Sequence, residues 1–276
     1  MSEPGSPNTP FARRALTVTG NDRLGSYLVL RVADPDGPQP GPGQFAMLAT
    51  AERWGGGQEQ RPLLPRAFSL ARFSAGEAHF LLEDVGPASK RLCELRAGDQ
   101  LLVLGPLGQG FTAPPDGRRA LLVGGGVGIA PLAILQDSLQ VAPCVLLGFR
   151  DEAHAHGAAL LQGASIATDD GSVGHHGYVT DLLADELERD PAAVVYACGP
   201  PPMLEGVRAI CAARETPAQL ALEAGMACGF GACFGCVVPT RGGGYLRVCL
   251  DGPVLDAAEL EHVAEPGEPA ATGGSL

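Results

Sequence analysis

The chain has 276 residues, 45% of them hydrophobic, and a formal charge of −12. That length exceeds one typical core, so two or three domains are expected, and the apolar share is enough to build them. The acidic balance argues against nucleic-acid or anionic-membrane partners, which need clustered Lys and Arg, but leaves room for a phosphate held by a few local donors.

The opening stretch, MSEPGSPNTP, lacks the apolar segment of a secretory signal and is expected to be an unstructured tail. The longest uncharged apolar run, Ala120 to Leu135, spans 16 residues and contains four glycines and a proline, which makes a poor transmembrane helix. The expected setting is therefore the cytoplasm, where thiols stay reduced. Between about Arg14 and Thr112 lie ALTVTG, SYLVLRVAD, QFAMLAT, AFSLARF, AHFLLEDV and DQLLVLGP. They are short, rich in Val, Leu and Phe, and often alternate, so they read as strands. DPDGP and GPGQ punctuate them as turns. This predicts an all-β half, a small barrel or a sandwich. Trp54, in RWGGGQEQ, reads as a loop anchor.

From about Arg118 the period changes. RRALLVGGGVGIAPLAILQDSLQ predicts a buried strand, a Gly-rich turn and a helix. APCVLLGFR and GASIATDDGS are further strands, YVTDLLADELERD a helix, AAVVYACGP a fourth strand, and PPMLEGVRAICAAR a helix. Such alternation means a parallel sheet, whose ligands bind beyond the carboxyl ends of its strands. Gly124, Gly125, Gly126 and Gly128 lie where a dinucleotide would sit and would let backbone approach a pyrophosphate. The spacing is not a clean G-x-G-x-x-G, and Pro131 stands where a helix would continue. A tight strand-to-helix turn without ligand would read the same way.

The stretch MACGFGACFGC holds Cys228, Cys233 and Cys236, and Cys249 follows, giving C-x4-C-x2-C-x12-C. The first spacings are those of a plant-type [2Fe–2S] site. The interleaved glycines suit three thiolates converging from one loop, since they allow positive φ and close approach. Structural zinc is the rival reading, although such sites usually show two C-x2-C knuckles. Cys93, Cys144, Cys198 and Cys211 are scattered and read mostly as small core residues.

Taken together, the segments resemble the ferredoxin reductase family. RAFS resembles its R-x-[YF]-S flavin motif, and GGGVGIAP followed by CGPPPM resembles its nicotinamide-domain pair. With TDDGSVGHHGYVTDLL, MACGFGACFGCVV and VCLDGPVLDAAEL, the order closely resembles the electron-transfer subunits of dihydroorotate dehydrogenase B, over about residues 14–260. The tail from about Pro217 is too short for a whole plant-type ferredoxin module with its longer final gap.

The resemblance implies a fold of class β + α/β. An N-terminal antiparallel FAD-binding β-barrel would occupy residues 10–115, a Rossmann-like NAD-binding parallel-sheet domain 116–215, and a compact [2Fe–2S] tail 216–262. It places Arg66, Ala67, Phe68 and Ser69 on FAD, with Arg66 at the pyrophosphate and Ser69 near the ring. Leu81, Leu82 and Glu83 would form a second flavin strand, and Ala88 and Ser89 a phosphate turn. The family commonly has G-x-G-T at that turn; this chain has Gly86-Pro87-Ala88-Ser89. Ser89 supplies a hydroxyl, whereas Pro87 and Ala88 do not supply the positive φ of glycine. Cys198 and Gly199 would border the nicotinamide, Cys198 as a packing or positioning residue. Cys228, Cys233, Cys236 and Cys249 would be the cluster ligands. No catalytic residue is expected, because hydride transfer to NAD needs no protein proton donor. His175 and His176 read as loop structure or cofactor contacts, and Asp169 and Asp170 as turn caps or ribose contacts.

NAD exchanges two electrons at once and a [2Fe–2S] cluster one, so a flavin must convert between them. The implied partner is an FMN-containing dihydroorotate dehydrogenase catalytic subunit, in a heterotetramer of two of each, serving pyrimidine biosynthesis. Two alternatives stand beside this: another NAD(P)H-dependent flavin/iron–sulfur oxidoreductase of ferredoxin:NADP or sulfhydrogenase type, and a non-enzymatic metal-binding scaffold.

Overall fold

The computed structural model describes residues 13–55, 62–115 and 118–263. The opening tail, and most of the loop after Trp54, lie outside the described residues. Strands β1 (Arg14–Leu24), β2 (Tyr27–Ala33), β3 (Phe45–Thr50), β4 (Arg66–Ser74), β5 (Glu77–Glu83) and β6 (Gln100–Leu107) close into a barrel in the order β1-β2-β5-β4-β3-β6. All neighbouring strands run antiparallel. Closure leaves no sheet edge unpaired. The alternation in β6 turns Leu101 and Val103 inward, and Leu30, Val32, Leu48, Phe80 and Leu82 are buried from the other strands. Trp54 packs against this core. A short helix, α1 (Pro87–Cys93), buries Leu92 in it.

The second layer is built from β7 (Ala120–Gly125), α2 (Ala130–Ser138), β8 (Cys144–Phe149), α3 (Glu152–Ala155), β9 (Ala164–Thr168), β10 (His175–His176), α4 (Val179–Arg189), β11 (Val194–Cys198), α5 (Pro201–Ala213) and β12 (Ala218–Ala221). The central strands β7 and β11 are buried on both faces, which is why they are continuous apolar runs. The sheet order is β10-β9-β8-β7-β11-β12, all parallel, and it reverses direction of growth between β7 and β11. A crevice at that switch point, beyond the carboxyl ends, is where such sheets bind ligands. Pro131 sits in the first turn of α2, where its missing N–H costs no helix bond.

The tail forms a hairpin of β13 (Val237–Pro239) and β14 (Tyr245–Arg247), then β15 (Val254–Asp256). β15 adds to the large sheet antiparallel to β12. The cluster segment thus shares a sheet with the α/β layer. No helix among the described residues is long and apolar enough to cross a membrane.

Candidate functional site

A cleft of about 750 Å³ opens between the barrel, the turn after β7 and the chain after β12. β4 brings Arg66, Ala67, Phe68 and Ser69 to it; β5 brings Leu81 and Glu83; the first turn of α1 brings Ala88 and Ser89. Leu82 alternates away: its side chain is fully buried in the barrel core. Arg66 is exposed, and its Nη1 donates to the carbonyl of Leu64 at 2.7 Å. The Ser89 hydroxyl locks its own turn, accepting from the N–H groups of Val85 and Gly86 at 3.0 and 3.1 Å and donating to the Gly86 carbonyl at 3.1 Å. Gly86 is extended, at φ 171, and Pro87 opens the helix. Glycine's left-handed freedom is not used between residues 86 and 89. The departure from G-x-G-T is therefore accommodated by the fold.

The opposite wall is Val127, Gly128 and Ala130, with Leu222 to Ala227. A mostly apolar cleft with a few polar groups is the usual form of a cofactor site. Glu223 belongs to that wall although no sequence pattern singles it out. Its side chain is exposed at the cleft, and desolvation by the protein around it raises its carboxyl above the usual range.

The glycines at the ends of β7 and β11 and in the turn after β7 answer mainly to packing. A Cβ on Gly128 would lie 2.6 Å from the Cys198 carbonyl oxygen, and one on Gly125 would lie 2.6 Å from Met203 Sδ. A Cβ on Gly124 would meet Ile129 at 2.9 Å, and one on Gly199 would meet Met203 at 2.6 Å. Gly126 differs, with φ +54 and a Cβ position that meets only the Tyr27 hydroxyl, at 4.0 Å, an ordinary contact. Cys198 ends β11 in register with Gly124, 3% exposed, and burial pushes its thiol well up. It stays a neutral packing group. His175 and His176 are exposed in β10, with His175 Nε2 3.4 Å from Asp181. Asp170 caps a turn by accepting from the Ser172 N–H at 3.0 Å.

The four tail cysteines stand in two pairs. The Cys233 thiol acts on Cys228, and the Cys236 thiol acts on Cys249. Gly231 donates its N–H to Cys249 Sγ at 3.1 Å, and the Cys249 N–H reaches Cys236 Sγ at 3.4 Å. Gly229 and Gly231 adopt positive φ, 81° and 85°, as so tight a loop requires. Burial disfavours the Cys228 thiolate, but N–H groups of Phe230, Cys233 and Ala232 and the Cys233 thiol outweigh it, bringing Cys228 down to about 6. Burial and the Cys236 thiol push Cys249 up to about 12. Among the described residues no three ligand-type side chains close on one ion position. Two thiol pairs with amide donors are what a two-iron cluster needs, and the donor set fits it.

Barrel, parallel sheet and paired thiols define the class: a flavin-reductase fold carrying an iron–sulfur tail. Residues 223–261 match the family described as the iron-sulfur cluster binding domain of dihydroorotate dehydrogenase B. The dihydroorotate dehydrogenase B (NAD(+)) electron transfer subunit of Caldanaerobacter subterraneus subsp. tengcongensis is 35% identical over 250 residues, 88% of this chain and 96% of that protein. Its namesake from Geobacillus thermodenitrificans is 42% identical over 233 residues, 79% of this chain and 86% of that protein. A chain of the NADH-dependent reduced ferredoxin-NADP oxidoreductase superposes with TM-score 0.75 at 24% identity, covering 90% of each chain, and shares the fold. The chain belongs to the family of dihydroorotate dehydrogenase B electron transfer subunits.

Proposed function

We propose that residues 10–115 hold FAD in the cleft, residues 116–215 hold NAD at the carboxyl edge of the sheet, and residues 216–262 hold a [2Fe–2S] cluster through Cys228, Cys233, Cys236 and Cys249. The chain is an oxidoreductase subunit that carries electrons from an FMN-containing dihydroorotate dehydrogenase catalytic subunit to NAD+, in pyrimidine biosynthesis. The observation that carries this reading is one of continuity. Residues 222–227 wall the cleft, and Cys228, the first cluster ligand, is the next residue.

When bound, FAD supplies the exchange between the one-electron cluster and the two-electron nicotinamide. The protein's own residues position these groups and exclude solvent. Arg66 at the cleft mouth offers a charge-assisted fork to the FAD phosphates. Phe68 and Ser69 orient the ring from β4, with Leu81 and Glu83 beside them on β5. Gly128 lets the turn after β7 close on Cys198 and Gly199, bringing the nicotinamide side of the fold against the flavin cleft. The N–H of Gly231 favours thiolate charge at the cluster. No side chain need act as nucleophile. The setting is the cytoplasm, and the assembly is a heterotetramer of two of each subunit.

The test is the visible spectrum of the anaerobically purified chain, with iron, sulfide and flavin quantified. Flavin bands over a broad shoulder, with about two irons and about one FAD per chain, are expected. A colourless protein carrying zinc would overturn the reading.

A further inference from the structure

The turns leaving the carboxyl ends of the parallel strands are residues 126–129, 150–151, 169–174, 177–178, 199–200 and 222–227. Among them stands a single Lys or Arg, Arg150, immediately after β8. The same turns carry Asp151, Asp169, Asp170 and Glu223. The edge is otherwise acidic, on a chain of net charge −12. A dinucleotide brings a doubly charged pyrophosphate to such an edge, and that charge must be met there.

Arg150 is held for this. Its Nε donates to His154 Nε2 at 3.0 Å, and the other ring nitrogen of His154 lies 2.6 Å from Asp151 Oδ1. Its Nη2 is paired with Glu83 of β5, across the joint between barrel and sheet. His154 is also edge-on to the buried ring of Tyr27, with ring centres 5.5 Å apart. Of the bracing side chains, His154 and Glu83 are mostly buried, 13% and 18% exposed, and Asp151 is 37% exposed, while Arg150 is 58% exposed. Nη1 has no partner among the described residues. The guanidinium is therefore fixed on one side and open on the other. Its partner Glu83 lines the flavin cleft, so the charge stands between the cleft and the sheet edge. A dinucleotide must cross there for its nicotinamide to reach a flavin.

We propose that Arg150 binds the pyrophosphate of the nicotinamide dinucleotide, positioned by Glu83 and the His154–Asp151 pair. This rests on the nicotinamide reading of the sheet edge. Guanidinium suits the role because its remaining donors can fork onto phosphate oxygens.

The test uses the FAD- and cluster-loaded chain and measures Kd for NADH and for ADP-ribose by calorimetry. Arg150→Gln is expected to weaken both about tenfold or more, with flavin content and melting temperature kept near wild type. Affinities within twofold of wild type in a folded variant would overturn the proposal. Should the variant not fold, wild-type ADP-ribose binding between 0.05 and 0.5 M NaCl decides. A steady loss of affinity with salt is expected, and indifference to salt overturns the proposal. Wild-type protein that binds neither probe would sink the nicotinamide reading itself.

Discussion

Gly126 and Gly128 stand two residues apart in one turn and are glycine for different reasons. At Gly128 a methyl group would press on the backbone of Cys198 and Gly199 at 2.6 Å, so the turn itself would have to move. Gly128→Ala is expected to cost about 1–3 kcal/mol, as overpacking does, and to weaken NADH binding as the edge shifts. At Gly126 a methyl group would make only an ordinary contact, 4.0 Å from the Tyr27 hydroxyl, and the positive φ is what is at stake, so Gly126→Ala should cost about 1–2 kcal/mol and leave neighbouring packing alone. Urea titrations of both variants beside NADH titrations separate the two cases; equal loss of NADH affinity would contradict the packing account. The cysteines differ from one another in the same residue-by-residue way. In the cluster-free chain Cys228, at about 6, is mostly thiolate at neutral pH, whereas Cys249, at about 12, is a thiol. Iodoacetamide should therefore label Cys228 well before Cys249 at pH 7, with a rate that rises through pH 6 and then levels. A midpoint near the ordinary thiol value of about 8.5 would refute this. The grouping of Cys228, Cys233, Cys236 and Cys249 could be read from sequence because three of them lie in one local loop. Glu223 and Arg150 could not, because the groups around them come from the barrel, the sheet and the tail together.

Among elements, α4 illustrates how a helix is fixed to the sheet. Val179, Leu183 and Leu187 bury one face at intervals of four, and Glu186 lies beside them with its side chain 12% exposed. It accepts from Arg119, just before β7, at 2.7 Å and from Arg189 at 3.0 Å. Burial alone would raise its carboxyl, but the two guanidiniums outweigh it and hold the group below the usual range. A depressed carboxyl contributes stability above its unfolded value, about 4.3, which is lost as pH falls through the folded value. Glu186→Gln should thus cost about 1 kcal/mol at pH 7, and the gap from wild type should close in acid. A gap in denaturant midpoint that persists unchanged at low pH would exclude the ion pairs as its source. Strong periodicity of this kind, with punctuating turns, made the six barrel strands and the βα units legible. α1 was not, because seven residues opening with Pro-Ala-Ser give no helical period. β13, β14 and β15 were not either: three residues each, they are too short to show a period, and β13 and β14 are held by each other and β15 by the distant β12.

At the scale of the molecule, the tail is the piece that joins the rest. Phe45, Met47 and Leu107 of the barrel, Leu121 and Val195 of the sheet, and Cys236, Val248 and Cys249 of the cluster segment belong to one buried core. Gly229 rests on Met47, where a Cβ would lie 2.5 Å from its Cγ. Gly252 accepts from the Gln109 N–H at 2.5 Å, just beyond β6, and Pro253 accepts from the Leu222 N–H at 2.9 Å beside the cleft. Electron transfer between separate groups depends on fixed spacing, and this stitching supplies it. Two changes to the tail should therefore have different consequences. Cys233→Ser alters an exposed side chain, so the cluster spectrum and partner-linked NAD reduction should vanish while FAD stays bound. A chain ending at residue 222 also loses the cleft wall from Glu223 to Ala227 and uncovers the edge of β12. It removes buried Val238, Val248, Val254, Leu255 and Leu260 as well. Burying each such side chain is worth about 1.5–3 kcal/mol, against a whole-protein stability of about 5–15. The shortened chain should melt far lower and fail to retain FAD, although every barrel residue expected on the flavin is still present. Flavin retained in full by a shortened chain with unchanged melting would mean that the tail is an appendage, and that the barrel and sheet hold their relative positions without it.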